Sequence, residues 1–206
     1  MPDNSKNSLP VMEIFSSIQG EGHYSGESAI FIRLGGCDVG CHWCDVKDSW
    51  DVHMHELLSI TQICESVEAL GARTKMIIIT GGEPVMYPLS ELTSQLSSQG
   101  YQLHLETSGA YDLTGDWHWI CLSPKKWAAP KKAIYERADE LKVVICNKDD
   151  FNWAMEESNK VTENCKLYLQ PEWSRVEKVK ERIVEFIKNN TKWMISLQQH
   201  KYLNIR

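Results

Sequence analysis

The chain has 206 residues, 42% of them hydrophobic, with 22 Lys and Arg set against 28 Asp and Glu. That length supplies the core of one ordinary domain, and a formal charge of −6 with no compensating block of Lys or Arg argues against a broad nucleic-acid footprint. No apolar run reaches bilayer length and residues 1–10 are polar, so the sequence reads as cytoplasmic, without membrane span or export signal, and acting on a small molecule.

Short apolar runs rich in β-branched and aromatic residues alternate with helix-period segments, the pattern of a parallel sheet covered by helices. In chain order the strands fall at 29–34, 76–80, 101–106, 117–122, 140–145 and 166–169, six in all. Ile60, Ile63, Val67 and Leu70 form one helical stripe behind a Ser59 cap answered by Gln62, and Leu89, Leu92 and Leu96 form another that stops at Gly100. A third helix, over 175–189, buries Val176, Val179, Ile183 and Ile187 behind a capping box of Ser174 and Glu177. Neither repeat nor linker interrupts this order, so residues 1–206 are expected to form a single domain.

In parallel α/β folds ligands gather at the carboxyl ends of strands, and the unusual residues fall there. The first predicted strand runs into Gly36-Cys37-Asp38-Val39-Gly40-Cys41-His42-Trp43-Cys44, a Cys-x3-Cys-x2-Cys run. Three thiolates at this spacing can hold three corners of a cubane iron–sulfur cluster and leave one iron open to an exchangeable ligand. The alternative is a zinc or structural iron–sulfur site completed by His42 or a distant cysteine. Structural zinc usually comes with a second Cys-x2-Cys half, which this sequence lacks.

Cys64, Cys121, Cys146 and Cys165 stand singly in apolar segments and read as buried small hydrophobes, not as a disulfide framework. The second predicted strand ends in Thr80-Gly81-Gly82-Glu83-Pro84. Its paired glycines admit close backbone approach to a ligand, and Glu83 offers a carboxylate to an ammonium group. Trp50, Trp117, Trp119, Trp127, Trp153, Trp173 and Trp193 share no single stripe and are assigned to packing or an interface.

Together these motifs resemble the radical S-adenosylmethionine (SAM) enzymes. The resemblance implies a [4Fe–4S] cluster on Cys37, Cys41 and Cys44, with the SAM amino group at Gly82 and Glu83 and its adenine beside Trp43. It also implies a 5′-deoxyadenosyl radical made with one electron from a flavodoxin- or ferredoxin-type donor. A further set of motifs is similar to the 7-carboxy-7-deazaguanine synthase family over essentially the whole chain. These are Phe15-Ser16-Ser17-Ile18-Gln19-Gly20-Glu21-Gly22, Phe31-Ile32-Arg33-Leu34-Gly35-Gly36-Cys37 and Ser196-Leu197-Gln198-Gln199-His200-Lys201.

That family rearranges 6-carboxy-5,6,7,8-tetrahydropterin to a deazapurine on the route to queuosine. The radical takes the C6 hydrogen, the ring contracts and ammonia leaves, with no catalytic acid–base pair from the protein. The resemblance implies substrate contacts from Ile18, Gln19, Gly20, Glu21, Thr80, His200 and Arg206, with Arg33 on the substrate carboxylate, and further SAM contacts from Ser108, Ser123, Pro124, Lys125 and Gln170. The implied fold is an incomplete TIM-type (β/α) barrel of about six parallel strands with a reduced set of helices. A substrate loop at about 13–28 and a C-terminal tail would close the site, and a homodimer would cover exposed sheet.

One departure bears on a metal. The family often reads Cys-Asp-Thr after the last cluster ligand, its Thr hydroxyl helping to hold a Mg²⁺ ion bound by substrate oxygens. This chain reads Cys44-Asp45-Val46, and valine has no lone pair. Asp45 is left either to bind the ion, directly or through water, or to cap a turn. Two other readings stand beside the synthase. One is an activase for a glycyl-radical enzyme, which shares the cysteine spacing. The other is a non-catalytic iron–sulfur electron-transfer module, which leaves the Gly-Gly-Glu loop and Gln19-Gly20-Glu21-Gly22 without a task.

Overall fold

The computed structural model describes residues 7–206; residues 1–6 of the polar N-terminus lie outside it. One sheet organises these residues. Its strands are β1 (Ser8–Ile18), β2 (Ser28–Leu34), β3 (Glu56–Ser59), β4 (Met76–Gly81), β5 (Gln102–Thr107), β6 (Trp119–Leu122), β7 (Glu140–Ile145), β8 (Lys166–Pro171) and β9 (Trp193–Ile195). They lie side by side in the order β3-β1-β2-β4-β5-β6-β7-β8-β9, parallel from β2 onward, with antiparallel pairs at β1–β2 and β1–β3. The two ends, β3 and β9, do not pair, so the sheet is an open, incomplete barrel.

All six expected strands are present, as β2 and β4 to β8. The other three belong to the margins. β1 runs through Glu13–Ile18, which the expected substrate loop had included, so the loop proper is residues 19–27.

Helices α1 (Ile60–Ala69), α2 (Ser90–Ser98), α3 (Lys132–Arg137), α4 (Asp149–Ser158) and α5 (Val176–Asn189) cover the outside, and α6 (Gln199–Leu203) follows β9. The Ser59–Gln62 capping box at α1 forms in both directions. At α5 it does not. Ser174 lies in a preceding 3-10 turn, where its N–H and hydroxyl both donate to Glu172, at 3.0 and 2.7 Å, while Glu177 pairs with Lys180. With the hydroxyl already used there, α5 starts after Arg175 with no side-chain cap. Val179 and Ile183 of its stripe are buried, Val176 and Ile187 only partly; Leu70, at the end of the α1 stripe, is exposed. Cys64, Cys121 and Cys165 are buried as expected. Cys146 is half-buried at a cavity rim, because it sits just past the end of β7.

Alternation along each strand sorts the side chains by face. Ile30, Ile32, Leu34, Ile77 and Ile79 pack outward onto α1 and α2, and Leu141, Val143, Ile145 and Leu169 onto α3, α4 and α5. The intervening residues therefore point inward. Near the carboxyl ends of the strands they are Arg33, Thr80, Glu106 and Gln170, with Lys142 deeper in β7, and all five line one cavity.

The β2–β4 pair ends at Leu34 and Gly81, which are register partners. Gly81 sits at φ 136°, and a Cβ there would fall inside the van der Waals shell of the Leu34 carbonyl oxygen. We expect Gly81→Ala to destabilise the protein by about 2–3 kcal/mol, through a backbone conformation that L side chains rarely adopt. In thermal unfolding that is a Tm drop of roughly 5–10 °C for a chain of this size. A Tm unchanged from wild type would contradict it.

Candidate functional site

The inner cavity, about 280 Å³, opens at the carboxyl ends of the strands. Cys37, Cys41 and Cys44 line it, all three unpaired and half-buried. Their loop is fixed at both ends. Gly36 N–H donates to Ser49 O at 2.6 Å, Cys37 N–H to Trp50 O at 3.2 Å, and Cys44 N–H to Cys41 O at 2.9 Å. His42, which could complete a zinc site, instead lines a neighbouring cavity with its ring edge-on to Trp43, and the four other cysteines line no part of the main one. Three thiols with no fourth protein ligand beside them among the described residues fit a cubane cluster with one open iron. Burial pushes the Cys37 and Cys41 thiols above their ordinary value, so bound iron is what would hold them as thiolates.

Beside this loop stands Gly81-Gly82-Glu83. Gly82 N–H donates to Leu34 O at 2.8 Å and Glu83 N–H to Gly36 O at 2.9 Å, and a Cβ on Gly82 would overlap the Gly36 carbonyl and crowd Cys37. The glycines thus permit the backbone to lie directly against the cysteine loop, an approach that sequence reading had assigned to a ligand. Glu83 is buried, and its carboxylate accepts from Ser108 N–H at 2.8 Å, from the Ser108 and Thr107 hydroxyls, and from Val85 N–H at 3.3 Å.

The other expected contacts surround these. Trp43 lines the cavity and meets the half-exposed Trp127 edge-on at 5.1 Å, and Trp127 Nε1 donates to Val39 O in the cysteine loop. Ser123 and Lys125 line it, the Lys125 ammonium resting 2.9 Å from Ser123 Oγ. Pro124, between them, is buried behind the lining and does not reach the cavity. Gln170 accepts at Oε1 from Ser196 Oγ, 2.8 Å, and Ser196 in turn accepts from Gly22 N–H.

On the opposite wall Arg33 donates from Nε to Glu13 at 2.8 Å with its guanidinium over Phe15. Arg206 reaches the same carboxylate at 3.6 Å and the same ring. Two guanidiniums thus share one side-chain carboxylate, beside Thr80, the register partner of Arg33. Ile18, Gln19, Gly20, Glu21 and His200 line the mouth. Gln199 N–H donates to Gly20 O at 2.9 Å, and a side chain on Gly20 would occupy the space of the His200 ring.

Sequence reading passed over Lys142, Glu106 and Gln198. Lys142 Nζ pairs with Glu21 and lies 3.7 Å from Glu106, whose other oxygen accepts from Gln19 Nε2 at 2.8 Å; Gln198 Nε2 donates to Glu21 at 2.9 Å. The available signal was the strand Glu140-Leu141-Lys142, where two charged residues alternate with a core leucine and so share the inner face. Burial alone would raise the Glu21 carboxyl, but the Lys142 ammonium and the hydrogen bonds from Lys142 and Gln198 outweigh it and hold the group at about 2.

Removing the ammonium leaves buried carboxylates uncompensated, so Lys142→Met is expected to cost about 3–5 kcal/mol at neutral pH. A carboxyl whose folded value is depressed stabilises the protein above its ordinary 4.5 and loses that contribution as pH falls toward 2. The gap between wild type and variant should therefore narrow in urea unfolding as pH drops below about 4.5. A gap independent of pH would contradict the assignment.

The model of the Radical SAM superfamily matches residues 31–120. A 7-carboxy-7-deazaguanine synthase of Flavobacterium psychrophilum is 51% identical over 197 residues, covering 96% of this chain and 92% of its own. Proteins of that name from a Synechocystis species and from Escherichia coli are 48% and 33% identical, over 97% and 95% of this chain and 94% and 98% of theirs. A solved structure described as "Crystal structure of QueE from Escherichia coli" superposes with a TM-score of 0.84 at 28% identity, covering 96% of each chain. The chain belongs to the 7-carboxy-7-deazaguanine synthase family, within the radical SAM superfamily.

Proposed function

We propose that residues 1–206 act as one unit that converts 6-carboxy-5,6,7,8-tetrahydropterin to 7-carboxy-7-deazaguanine with loss of ammonia, in the cytoplasm, on the route to queuosine and related deazapurines. The observation that carries the reading is the meeting of three unpaired thiols, the Gly-Gly-Glu backbone and two guanidiniums on the wall of one cavity. The family favours this over an activase or an electron-transfer module.

When bound, the cluster and SAM supply a radical that takes the C6 hydrogen of the pterin. The protein's part is to bind, orient and exclude water. Cys37, Cys41 and Cys44 would hold the cluster, and Gly82, Glu83 and Ser108 the methionyl end of SAM. Trp43 would take the adenine, with Ser123, Lys125 and Gln170 nearby and Pro124 shaping their loop from behind. Arg33 would grip the substrate carboxylate, its Nε steadied by Glu13 so that the fork keeps its aim. Thr80, Ile18, Gln19, Gly20 and Glu21 would hold the pterin under His200 and Arg206.

The synthase has no protein acid–base pair in this reading. At the Cys44 corner Asp45, paired with Lys201, would be the carboxylate offered to Mg²⁺. The partners are a flavodoxin- or ferredoxin-type donor and a second copy of the chain. The exposed Met54 and Leu57, at the free edge formed by β3, support the second copy. Light scattering should give a dimer mass; a monomer at all concentrations would remove that partner.

Oxygen-free reconstituted enzyme with SAM, reductant and the carboxypterin should yield the deazaguanine chromophore. No chromophore from enzyme that still cleaves SAM would defeat the substrate assignment. Arg33→Lys should raise KM about 10–100-fold, the worth of a bidentate charged hydrogen bond, with a smaller change in kcat. An unchanged KM would take Arg33 out of carboxylate binding.

A further inference from the structure

The first residue of β7 is a buried acid that neither cofactor nor substrate binding has used. Glu140 is 3% exposed and stands two positions before Lys142, on the same inner face. Its Oε2 accepts from His23 N–H at 3.1 Å and from Trp119 Nε1 at 3.3 Å, while its Oε1 has no hydrogen-bond partner among the described residues. Oε1 occupies the notch left by Gly22, where a Cβ would overlap it. The last glycine of Gln19-Gly20-Glu21-Gly22 thus makes room for this oxygen.

The surroundings suit the neutral acid. The Lys142 ammonium is already engaged by Glu21 and Glu106, and Glu140 makes no ion pair among the described residues. Glu140, His104, Cys121 and Tyr24 border a void of about 10 Å³, the lower bound for a single water. His104 faces it as an uncharged ring, lowered to about 4 by burial. Both bonds to Oε2 are longer than the roughly 2.7–2.9 Å of charge-assisted hydrogen bonds. Burial lifts the Glu140 carboxyl above its ordinary value against the pull of Lys142, whereas Glu21, bonded directly to that ammonium, is held at about 2.

What this acid holds is the 19–27 loop. The His23 ring stacks on Trp119 at 4.8 Å, and Gly22 N–H donates to Ser196 Oγ at 2.9 Å, so residues 22 and 23 are tied to β6, β7 and the segment after β9 together. The three residues before them, Gln19, Gly20 and Glu21, line the cavity mouth. We propose that Glu140 is a positioning residue: as a neutral acid it latches the His23 backbone and so holds Gln19, Gly20 and Glu21 in place for the substrate. The proposal rests on the synthase reading, and it separates from that reading because the latch can be observed without turnover.

The test compares reconstituted wild-type holoenzyme with Glu140→Gln, which keeps an acceptor oxygen without charge, and with Glu140→Leu, which removes the acceptor. Glu140→Gln should stay within about twofold of wild type in kcat/KM. Glu140→Leu should raise KM for the carboxypterin about tenfold with a smaller change in kcat, and should speed amide hydrogen exchange across residues 19–27. Infrared difference spectra at neutral pH, wild type minus Glu140→Gln, should show the band of a protonated carboxyl. A carboxylate band in its place, a Glu140→Gln enzyme as impaired as Glu140→Leu, or a Glu140→Leu enzyme with unchanged KM and unchanged exchange would each overturn the proposal. Should no product form from any of the three proteins, the synthase reading falls, and hydrogen exchange and the infrared band still decide the latch. Should Glu140→Leu not fold, Glu140→Gln and the infrared band decide it.

Discussion

Everything at the site depends on how closely the chain leaving β4 lies against the chain leaving β2. The Gly81-Gly82 backbone sits where any side chain would strike Leu34 or Gly36, and two main-chain hydrogen bonds lock the contact. Because Glu83 N–H is tied to Gly36 O, the buried Glu83 carboxylate is fixed beside Cys37. Its bonds to Thr107 and Ser108 then bring in the end of β5. Three strand ends are thereby set relative to one another before any cofactor arrives. That is the kind of preorganisation a radical reaction needs, since the protein contributes geometry and not proton transfer.

A second set of bonds closes the opposite side. Lys201, Asp45, Gln198, Glu21, Lys142, Glu106 and Gln19 form a continuous polar chain from the cysteine loop, through the C-terminal segment and the 19–27 loop, to the floor of the sheet. Networks of this kind are strong when every member is satisfied and costly when one is removed. Its course joins two segments that lie far apart in sequence. The Gln-Gly-Glu turn and the Gln-Gln-His-Lys segment are two halves of one closure, with Gly20 leaving room for His200.

Six of the parallel strands were legible because they are short, largely apolar runs, β-branched in β2, β4 and β7, bounded by glycine or polar residues. The cysteine loop was legible because its spacing has few competing explanations. The margins were not. β1 contains Pro10 and a register shift between Val11 and Glu13, which together blur its alternation, and β9 is three residues long; both are specified by the neighbour they pair with rather than by local preference. Lys142 was hidden inside a strand because the Glu140-Leu141-Lys142 alternation marks a shared face but carries no label for the partners of Lys142, which lie 121 and 36 residues away in sequence, at Glu21 and Glu106. Ser174 failed as a helix cap for the converse reason, an equally local competitor, Glu172, having taken its hydroxyl.

The central claim is that three thiols and a glycine-held strand end present one open iron corner to a sulfonium ligand. Electron paramagnetic resonance of the reduced, oxygen-free protein, recorded before and after adding SAM, tests it most directly. The account predicts a cubane signal on three cysteines whose g-values shift on adding SAM. A cubane signal indifferent to SAM, or protein that holds zinc in place of iron, would contradict it.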